Sequence, residues 1–390
     1  MAFNFLRRTL VQDHGRYTVS ASPNDRFQDF FNPIFVKYIS TNSNEQSFTV
    51  SYLINSCGLS PESALKTSKK LQLETPEKAD LVITLFRNSG FSETQICDLI
   101  RRCPSLLLSN PERSLLPKLE FFHSKGFLST DFATVLSRYP RILLRSLNNH
   151  IIPSFTYLSN LLQSSEMVIT LIKRIPLILY CNLQIFVEAK FNVLREIGVP
   201  ETHIVKLLYK WPTVFINYSR RFDETVELLK KMGMDTLRSQ FVKAIVIMST
   251  MSKSEWDKKV DVYKRLHWSE EEILAAFQKN PWCMMTSDDK IMAVMDIFVN
   301  KMGWEPSAIA QRPILFSLSL EKRIIPRAAV VQFLSSKGLL KANFLSVRPY
   351  LICEKTFLQK FVSCYDESPR LKKLYKEKLR SFKDDQLISK

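Results

Sequence analysis

The chain has 390 residues, which is longer than one ordinary globular core and requires either several domains or a repeat array. Only 8 residues are glycine, where average usage near 7% would give about 27, and the sequence lacks the glycine patterns of dinucleotide and P-loop sites. This composition argues against an enzyme, so we expect no catalytic residue, no cofactor and no small-molecule substrate. The formal net charge of +17 favours a polyanionic partner such as nucleic acid or an anionic membrane surface, or reflects an organellar address.

The first segment, 1–44, is basic and contains serine and threonine. It has no acidic residue before Asp13 and carries four arginines, namely Arg7, Arg8, Arg16 and Arg26. This composition predicts an organellar transit peptide, with the mitochondrion as the destination and the chloroplast as the alternative. A disordered basic N-terminus without a targeting role would have a similar composition.

Neither cysteine nor histidine spacing indicates a metal site. The seven cysteines contain no C-x-x-C pair, so we interpret them as reduced core residues. The five histidines form no H-E-x-x-H pattern, and we predict no bound metal. No stretch of the sequence reaches 18 consecutive apolar residues, so we expect no membrane-spanning helix and no membrane partner.

Prolines and glycines mark an internal repeat of about 35 residues. Four prolines follow one another at intervals of 36, namely Pro104, Pro140, Pro176 and Pro212. The series continues at Pro281, Pro313 and Pro349, with one proline missing near Met248. Glycines keep the same register, at Gly90, Gly126, Gly198, Gly233, Gly303 and Gly338. A fixed period of this length is typical of helical repeat proteins.

Each repeat is predicted to be a helix, an apolar bend and a second helix. Before each proline, apolar residues recur at helical spacing, for example Ile96, Leu99, Ile100 and Cys103. Proline then ends the helix because it lacks an N–H group and clashes with the preceding turn. The apolar run that follows, such as 106–108, is predicted to fill the space between neighbouring repeats before the second helix begins. Ser92 with Gln95, and Ser269 with Glu272, are predicted capping boxes at helix starts.

A helix pair of this kind cannot bury its apolar face alone, so the repeats are predicted to stack. The fold class is therefore all-α, an α-solenoid of about eight repeats that forms a curved superhelix over 45–367. Segment 51–85 is predicted to be an atypical first repeat, and 368–390 a basic C-terminal tail. The fifth repeat lacks its proline and the seventh is short, so the curvature there is left open.

Two repeats and the first segment of the array carry a family resemblance. The repeats read Phe91-Ser92-Glu93 with Cys103-Pro104-Ser105-Leu106-Leu107, and Trp268-Ser269-Glu270 with Asn280-Pro281-Trp282. They resemble repeats of the mitochondrial transcription termination factor (mTERF) family, and 51–60 resembles the opening of its plant members. The resemblance covers about 50–365. It implies a solenoid of mTERF-type repeats whose basic concave surface binds nucleic acid in mitochondria or chloroplasts, in transcription, termination or intron splicing.

One column of basic residues is the main candidate for nucleic-acid contact. Two residues before the proline, every long repeat that keeps its proline has a cation: Arg102, Arg138, Arg174, Lys210 and Lys279. In the two shorter repeats the cation is shifted by one residue, to Arg312 and Arg348. One cation per repeat would form a stripe along a phosphate backbone. The alternative is that a cation in the last helical turn is favoured by the helix dipole without any ligand.

A second set of basic residues falls nine positions after the proline, at the start of the second helix: Arg113, Arg221, Lys290 and Lys322. A cation there opposes the helix dipole, which favours a role in binding, and ordinary solvated surface charge is the alternative. Four tryptophans near the repeat junctions are interpreted as core residues in preference to base-stacking residues: Trp211, Trp268, Trp282 and Trp304.

The leading hypothesis is a monomeric organellar protein that binds nucleic acid, with double-stranded DNA favoured, and regulates gene expression, for example by transcription termination. Organellar RNA binding in group II intron splicing is one alternative. A protein-interaction scaffold is another, although the tetratricopeptide signature is absent. A pentatricopeptide-type RNA code would need specificity residues at fixed positions, which we do not find.

Overall fold

The computed structural model describes residues 43–216, 221–340 and 346–388, which form two compact parts. The N-terminal part comprises 43–192 with 205–216, and the C-terminal part comprises the other described residues. All regular structure in these ranges is helical, as the sequence predicted. The predicted transit peptide, 1–44, lies outside the described residues except for its last two positions.

The α-helices of the first half follow the predicted repeats. They are α1 Ser43–Asn55, α2 Pro61–Ser68, α3 Glu77–Asn88, α4 Glu93–Arg102, α5 Leu116–Ser124, α6 Ser129–Arg138, α7 Ile152–Leu162, α8 Ser165–Arg174, α9 Ala189–Glu196, α10 Glu201–Lys210 and α11 Thr213–Ile216.

The second half continues with α12 Arg221–Lys231, α13 Ser239–Thr250, α14 Lys253–Arg265, α15 Glu270–Lys279, α16 Asp288–Met295, α17 Pro306–Ala310, α18 Ile325–Ser336, α19 Arg348–Leu351, α20 Glu354–Leu358 and α21 Ser368–Ile388. None of the helices in the described ranges is long and apolar enough to cross a membrane.

The repeated proline starts a short 3-10 helix in five repeats. These bends are Pro104–Leu108, Pro140–Leu144, Pro176–Leu179, Pro281–Met285 and Pro313–Ser317. Proline is favoured at this first helical position because its missing N–H would have no partner there. In the fifth repeat, which has no proline, α13 runs for 12 residues and reaches the cap of α14 through Met251 alone. The proline therefore determines where a bend separates the two helices.

The apolar run after the proline fills the core with two residues, and the prediction of three was wrong for the first two bends. Leu106 and Leu107 are fully buried, whereas Leu108 is 47% exposed. Leu144 occupies the same position in the next repeat and is 48% exposed. A 3-10 helix has three residues per turn, so the fourth residue after the proline returns to the outer face.

Several second helices begin with a wider, π-helical turn. Four such turns are Pro111–Leu115, Leu147–Ile151, Gln184–Glu188 and Leu320–Ile324. Two more lie at the end of a helix instead, Asp296–Lys301 after α16 and Gln359–Ser363 after α20. The first is followed by Leu116 and Pro117, and the Leu116 N–H donates to the carbonyl of Pro111, five residues back. A wider turn accommodates a proline that would clash with the carbonyl four residues before it.

The predicted core and caps agree with the structure. Ile96, Leu99 and Ile100 are at most 1% exposed, and their equivalents in the next three repeats are also buried. Both predicted capping boxes are formed, and a third one, at Ser252 and Glu255, starts α14. The cysteine prediction holds only in part, because Cys353 and Cys364 are exposed thiols near the C-terminal end.

The C-terminal segment is a packed helix in its first turns. Leu371 and Tyr375 of α21 are buried in one cluster with Val330 and Leu334 of α18 and Phe357 of α20. The segment from 368 onwards, predicted as a basic tail, is therefore anchored to the last repeats because alternate turns of α21 carry apolar side chains.

Candidate nucleic-acid interface

Four residues of the predicted column occupy the same place in successive repeats of the N-terminal part. Arg102, Arg138, Arg174 and Lys210 are the last residues of α4, α6, α8 and α10, and all four are exposed. The C-terminal part contains a fifth, Lys279, as the exposed last residue of α15. We name these five residues the primary column. Their position at helix C-termini satisfies the dipole explanation, and their exposure leaves the charges accessible to phosphate.

Two primary-column side chains, Arg174 and Lys279, reach towards the following repeat. The Arg174 guanidinium lies 5.3 Å from the ring centroid of Tyr209, which directly precedes Lys210. In the C-terminal part, Lys279 Nζ donates a 3.4 Å hydrogen bond to the carbonyl of Gln311. Each of these two contacts bridges one repeat to the next.

Arg312 and Arg348 have a different geometry from the primary column. Arg312 is half-buried, and its Nη1 donates to the Ala308 carbonyl at 2.8 Å, at the end of its own short helix α17. Its guanidinium also lies 6.0 Å from the centroid of a Trp304 ring. Arg348 is exposed but begins α19 and does not end a helix. Helix α17 has only 5 residues, so Arg312 falls after its end, and Arg348 starts a helix. These two cations are therefore not structural equivalents of the other five.

The second predicted set lies at the starts of second helices, as expected. Arg113 and Lys322 are exposed, and their backbone N–H groups donate to the capping side chains of Asn110 (2.8 Å) and Ser319 (3.1 Å). Arg221 is the exposed first residue of α12. These cations oppose the helix dipole, because they lie at its positive end. At Arg113 and Lys322 the caps satisfy the local N–H groups without using the side-chain charge.

Lys290, the fourth member of that set, lines an open depression of about 540 Å³. The depression is lined by one indole, one thioether, three hydroxyls and the lysine, from Trp282, Met285, Thr286, Ser287, Ser317 and Lys290. Trp282 is half-buried, as is Trp211, whereas Trp268 and Trp304 are each 3% exposed. The core interpretation of the tryptophans is therefore confirmed in full for two of the four.

A separate group of cations faces the interior and was missed by sequence reasoning. Lys118 is 5% exposed, and its Nζ donates to the carbonyl of Leu143 at 2.5 Å. Arg327 is 1% exposed, and its Nη1 donates at 2.7 Å to the carbonyls of two residues in the following repeat. Two half-buried lysines make similar bonds, Lys190 to Val214 and Phe215, and Lys259 to Thr286. We name Lys118, Lys190, Lys259 and Arg327 the inner cations.

The inner cations satisfy the last carbonyls of the next repeat's bend. These carbonyls have no partner within a short helix, and they lie at the negative end of its dipole. The equivalent position after Pro140 is Ser154, which is too short to reach. There, Arg145 Nη2 donates to the Tyr180 carbonyl and His150 Nε2 to the Leu179 carbonyl, both at 2.8 Å. The bend Pro176–Leu179 is thus stabilised by Arg145 and His150 in place of an inner cation.

Burial has an electrostatic consequence for these residues. It lowers the pKa of Lys118 and of Arg327, because the charged form loses hydration. It also lowers the pKa of His150, and the nearby Arg145 charge acts in the same direction. A signal was available in the sequence, since Lys118 and Lys190 each interrupt an apolar helical stripe 14 residues after a proline.

In the part of the chain that the structure describes, no group of three or more His, Cys, Asp or Glu side chains is arranged to hold a metal ion. The candidate interface therefore consists of basic side chains on repeated helices. Such an array of helix–bend–helix units with exposed cations defines a helical repeat protein suited to a polyanionic partner.

Comparison with known protein families assigns this array. The sequence profile of the mTERF family matches the chain over 83–293 and 184–368, two overlapping regions that cover most of its length. The chain belongs to the mTERF family. Members of this family are helical nucleic-acid-binding factors and not enzymes, and membership supports a regulator of organellar gene expression. A comparison with curated proteins gave no match.

Proposed function

We propose that this chain binds double-stranded DNA in an organelle and regulates transcription there, for example by termination. The observation that carries the proposal is the repetition of Arg102, Arg138, Arg174 and Lys210 at one place in four successive repeats of the N-terminal part. Phosphate contacts made in this way position a protein on a duplex, while few side chains remain to read the sequence. The mitochondrion is the proposed organelle, with the chloroplast as the alternative, on the basis of the basic segment 1–44.

Salt dependence of binding tests the electrostatic part of this proposal. Four phosphate contacts from the primary-column residues of the N-terminal part give an expected slope of log K against log salt of about −3.6 or steeper, since each contact contributes about −0.9 on duplex DNA. We expect Arg138→Glu with Arg174→Glu to make the slope shallower by about 2. The matched control is Lys69→Glu with Lys70→Glu, two exposed lysines after α2. A flat salt response of the unmodified protein would contradict the proposal.

The form of nucleic acid and the organelle are tested in cells. A tagged chain is immunoprecipitated from isolated mitochondria, and bound DNA and RNA are sequenced separately, with the Arg138→Glu and Arg174→Glu double variant in parallel. Discrete DNA peaks lost in the variant would support transcriptional regulation. RNA peaks alone would instead support intron splicing. Enrichment of neither, together with a stoichiometric protein partner that survives nuclease treatment, would support the scaffold alternative.

A further inference from the structure

The last helix, α21, carries a basic face outside both predicted sets of cations. Lys372, Lys373 and Lys376 are exposed, and they lie at positions i, i+1 and i+4. At 3.6 residues per turn, the three positions fall within about 100° of the helix circumference and extend over about 6 Å. We name these three residues the α21 basic face.

The α21 helix is held in one orientation by its opposite side. Leu371 is fully buried and Tyr375 is 4% exposed, in the cluster with α18 and α20. Tyr375 Oη donates to a carboxylate oxygen of Glu354 at 3.4 Å, and the Arg370 guanidinium lies 5.0 Å from the Phe333 ring centroid of α18. The basic face is therefore presented on a fixed helix, so binding through it would not require the helix to be ordered first.

Glu377 of α21 lies to one side of this face. Its position is about 240° from Leu371, while the basic face spans about 100° to 200°. Lys373 makes a 4.0 Å pair with Glu377, in which both side chains are exposed. An exposed pair of this kind is worth little, so it does not account for three cations on one face.

We propose that the α21 basic face is a second phosphate-binding surface, which contacts the backbone of a nucleic-acid duplex. The inference rests on the proposed nucleic-acid binding and adds a site to it. A duplex carries one negative charge per about 1.7 Å of axis, so a face about 6 Å long meets about three phosphates. An anionic membrane is the less favoured partner, because an interfacial helix inserts its apolar side, and the apolar side of α21 is buried against α18.

The test uses a variant of the full chain with Lys372→Gln, Lys373→Gln and Lys376→Gln, which keeps good helix formers at exposed positions. The matched control removes the same charge elsewhere, through Lys66→Gln, Lys69→Gln and Lys70→Gln at exposed positions in and after α2. We expect the α21 variant to make the salt slope of duplex binding shallower by about 2 to 3, with no change in the control. We also expect a bound duplex to protect the three lysines from chemical acetylation, as measured by mass spectrometry.

Two outcomes would overturn the inference while the proposed function stands. One is an unchanged slope and unprotected lysines in a protein whose binding still depends steeply on salt and on Arg138 and Arg174. The other is binding to vesicles of phosphatidylcholine and phosphatidylserine that is lost in the α21 variant, with duplex binding unchanged. A flat salt response of the unmodified chain would overturn both proposals. If the triple variant fails to fold, two other measurements provide the same test. A Lys→Arg triple variant should retain the salt slope, and a bound duplex should protect the three lysines of the unmodified chain from acetylation.

Discussion

Individual cations in this chain have two different roles, which residue type alone does not distinguish. Lys118 and Lys210 are both lysines of a repeated helix, yet one is buried against a carbonyl and the other is exposed at a helix end. The difference comes from the helical face on which each residue lies. A cation within an apolar stripe must find carbonyl partners, because an unpaired buried charge is strongly unfavourable. A cation on the opposite face remains hydrated and available to a partner.

Removal of an inner cation should affect stability. We expect Lys118→Met to lower the free energy of unfolding by about 1–2 kcal/mol, because the Leu143 carbonyl loses a charged donor. Urea unfolding followed by circular dichroism measures the change. The control is Lys206→Met at an exposed position of α10, with an expected change within about 0.5 kcal/mol. Equal effects of the two substitutions would contradict the stabilising role of the inner cations.

His150 should make stability depend on pH. Because burial lowers its pKa below the ordinary value of 6.5, the unfolded chain binds a proton at higher pH than the folded chain. The contribution of neutral His150 is therefore fully present above about pH 6.5 and is lost as the pH falls towards the lowered folded-state pKa. We expect His150→Gln to lose less stability than the unmodified chain between about pH 7 and pH 5.5. His123→Gln, at an exposed position, should behave like the unmodified chain.

At the scale of elements, proline controls whether a repeat bends. Five of the repeats with proline have a 3-10 turn at the bend, and the repeats of Pro212 and Pro349 have the short helices α11 and α19 there. The repeat without proline continues as one helix to Thr250. The sequence predicted the bend wherever the proline occurs, because the missing N–H and the steric clash are local properties. The outward position of Leu108 and Leu144 was not predictable in this way, since it depends on the bend being 3-10 and not α-helical.

The proline-free repeat should not tolerate a restored proline. We expect Met248→Pro to lower the free energy of unfolding by about 3 kcal/mol or more, because it removes a hydrogen bond in α13 and clashes with the carbonyl of Ala244. The control is Ser239→Pro at the first position of the same helix, after Arg238 in an extended conformation that a following proline accepts. Thermal unfolding of both variants is the measurement. A mild effect of Met248→Pro would show that this repeat can adopt the bend.

At the scale of the whole molecule, the net charge overstates the surface available for binding. The +17 of the chain includes the inner cations, and exposed cations also occur outside the primary column, on α21. The composition favoured a polyanionic partner such as nucleic acid, and family membership supports nucleic-acid binding. It could not show which cations face outwards, because that depends on how each helix packs.

The chain should be monomeric in solution. A repeat array buries its apolar faces between its own neighbouring repeats, so its stability does not require a second copy. We expect sedimentation equilibrium to give a single species near the chain mass of 45.4 kDa at moderate salt. A concentration-dependent shift to twice that mass would contradict this expectation.

The sequence by itself determined the helical class, the repeat length, the bends and the residues of each core stripe. These features follow from local rules, since proline, helix caps and apolar spacing act within a few residues. Only the tertiary structure decided the roles of the cations. Lys118 and Arg327 are buried because their repeats stack on carbonyls 22 to 25 residues further along the chain, and α21 has a fixed basic face because Leu371 and Tyr375 dock on α18. Those contacts join residues distant in sequence, so a single sequence read locally does not specify them.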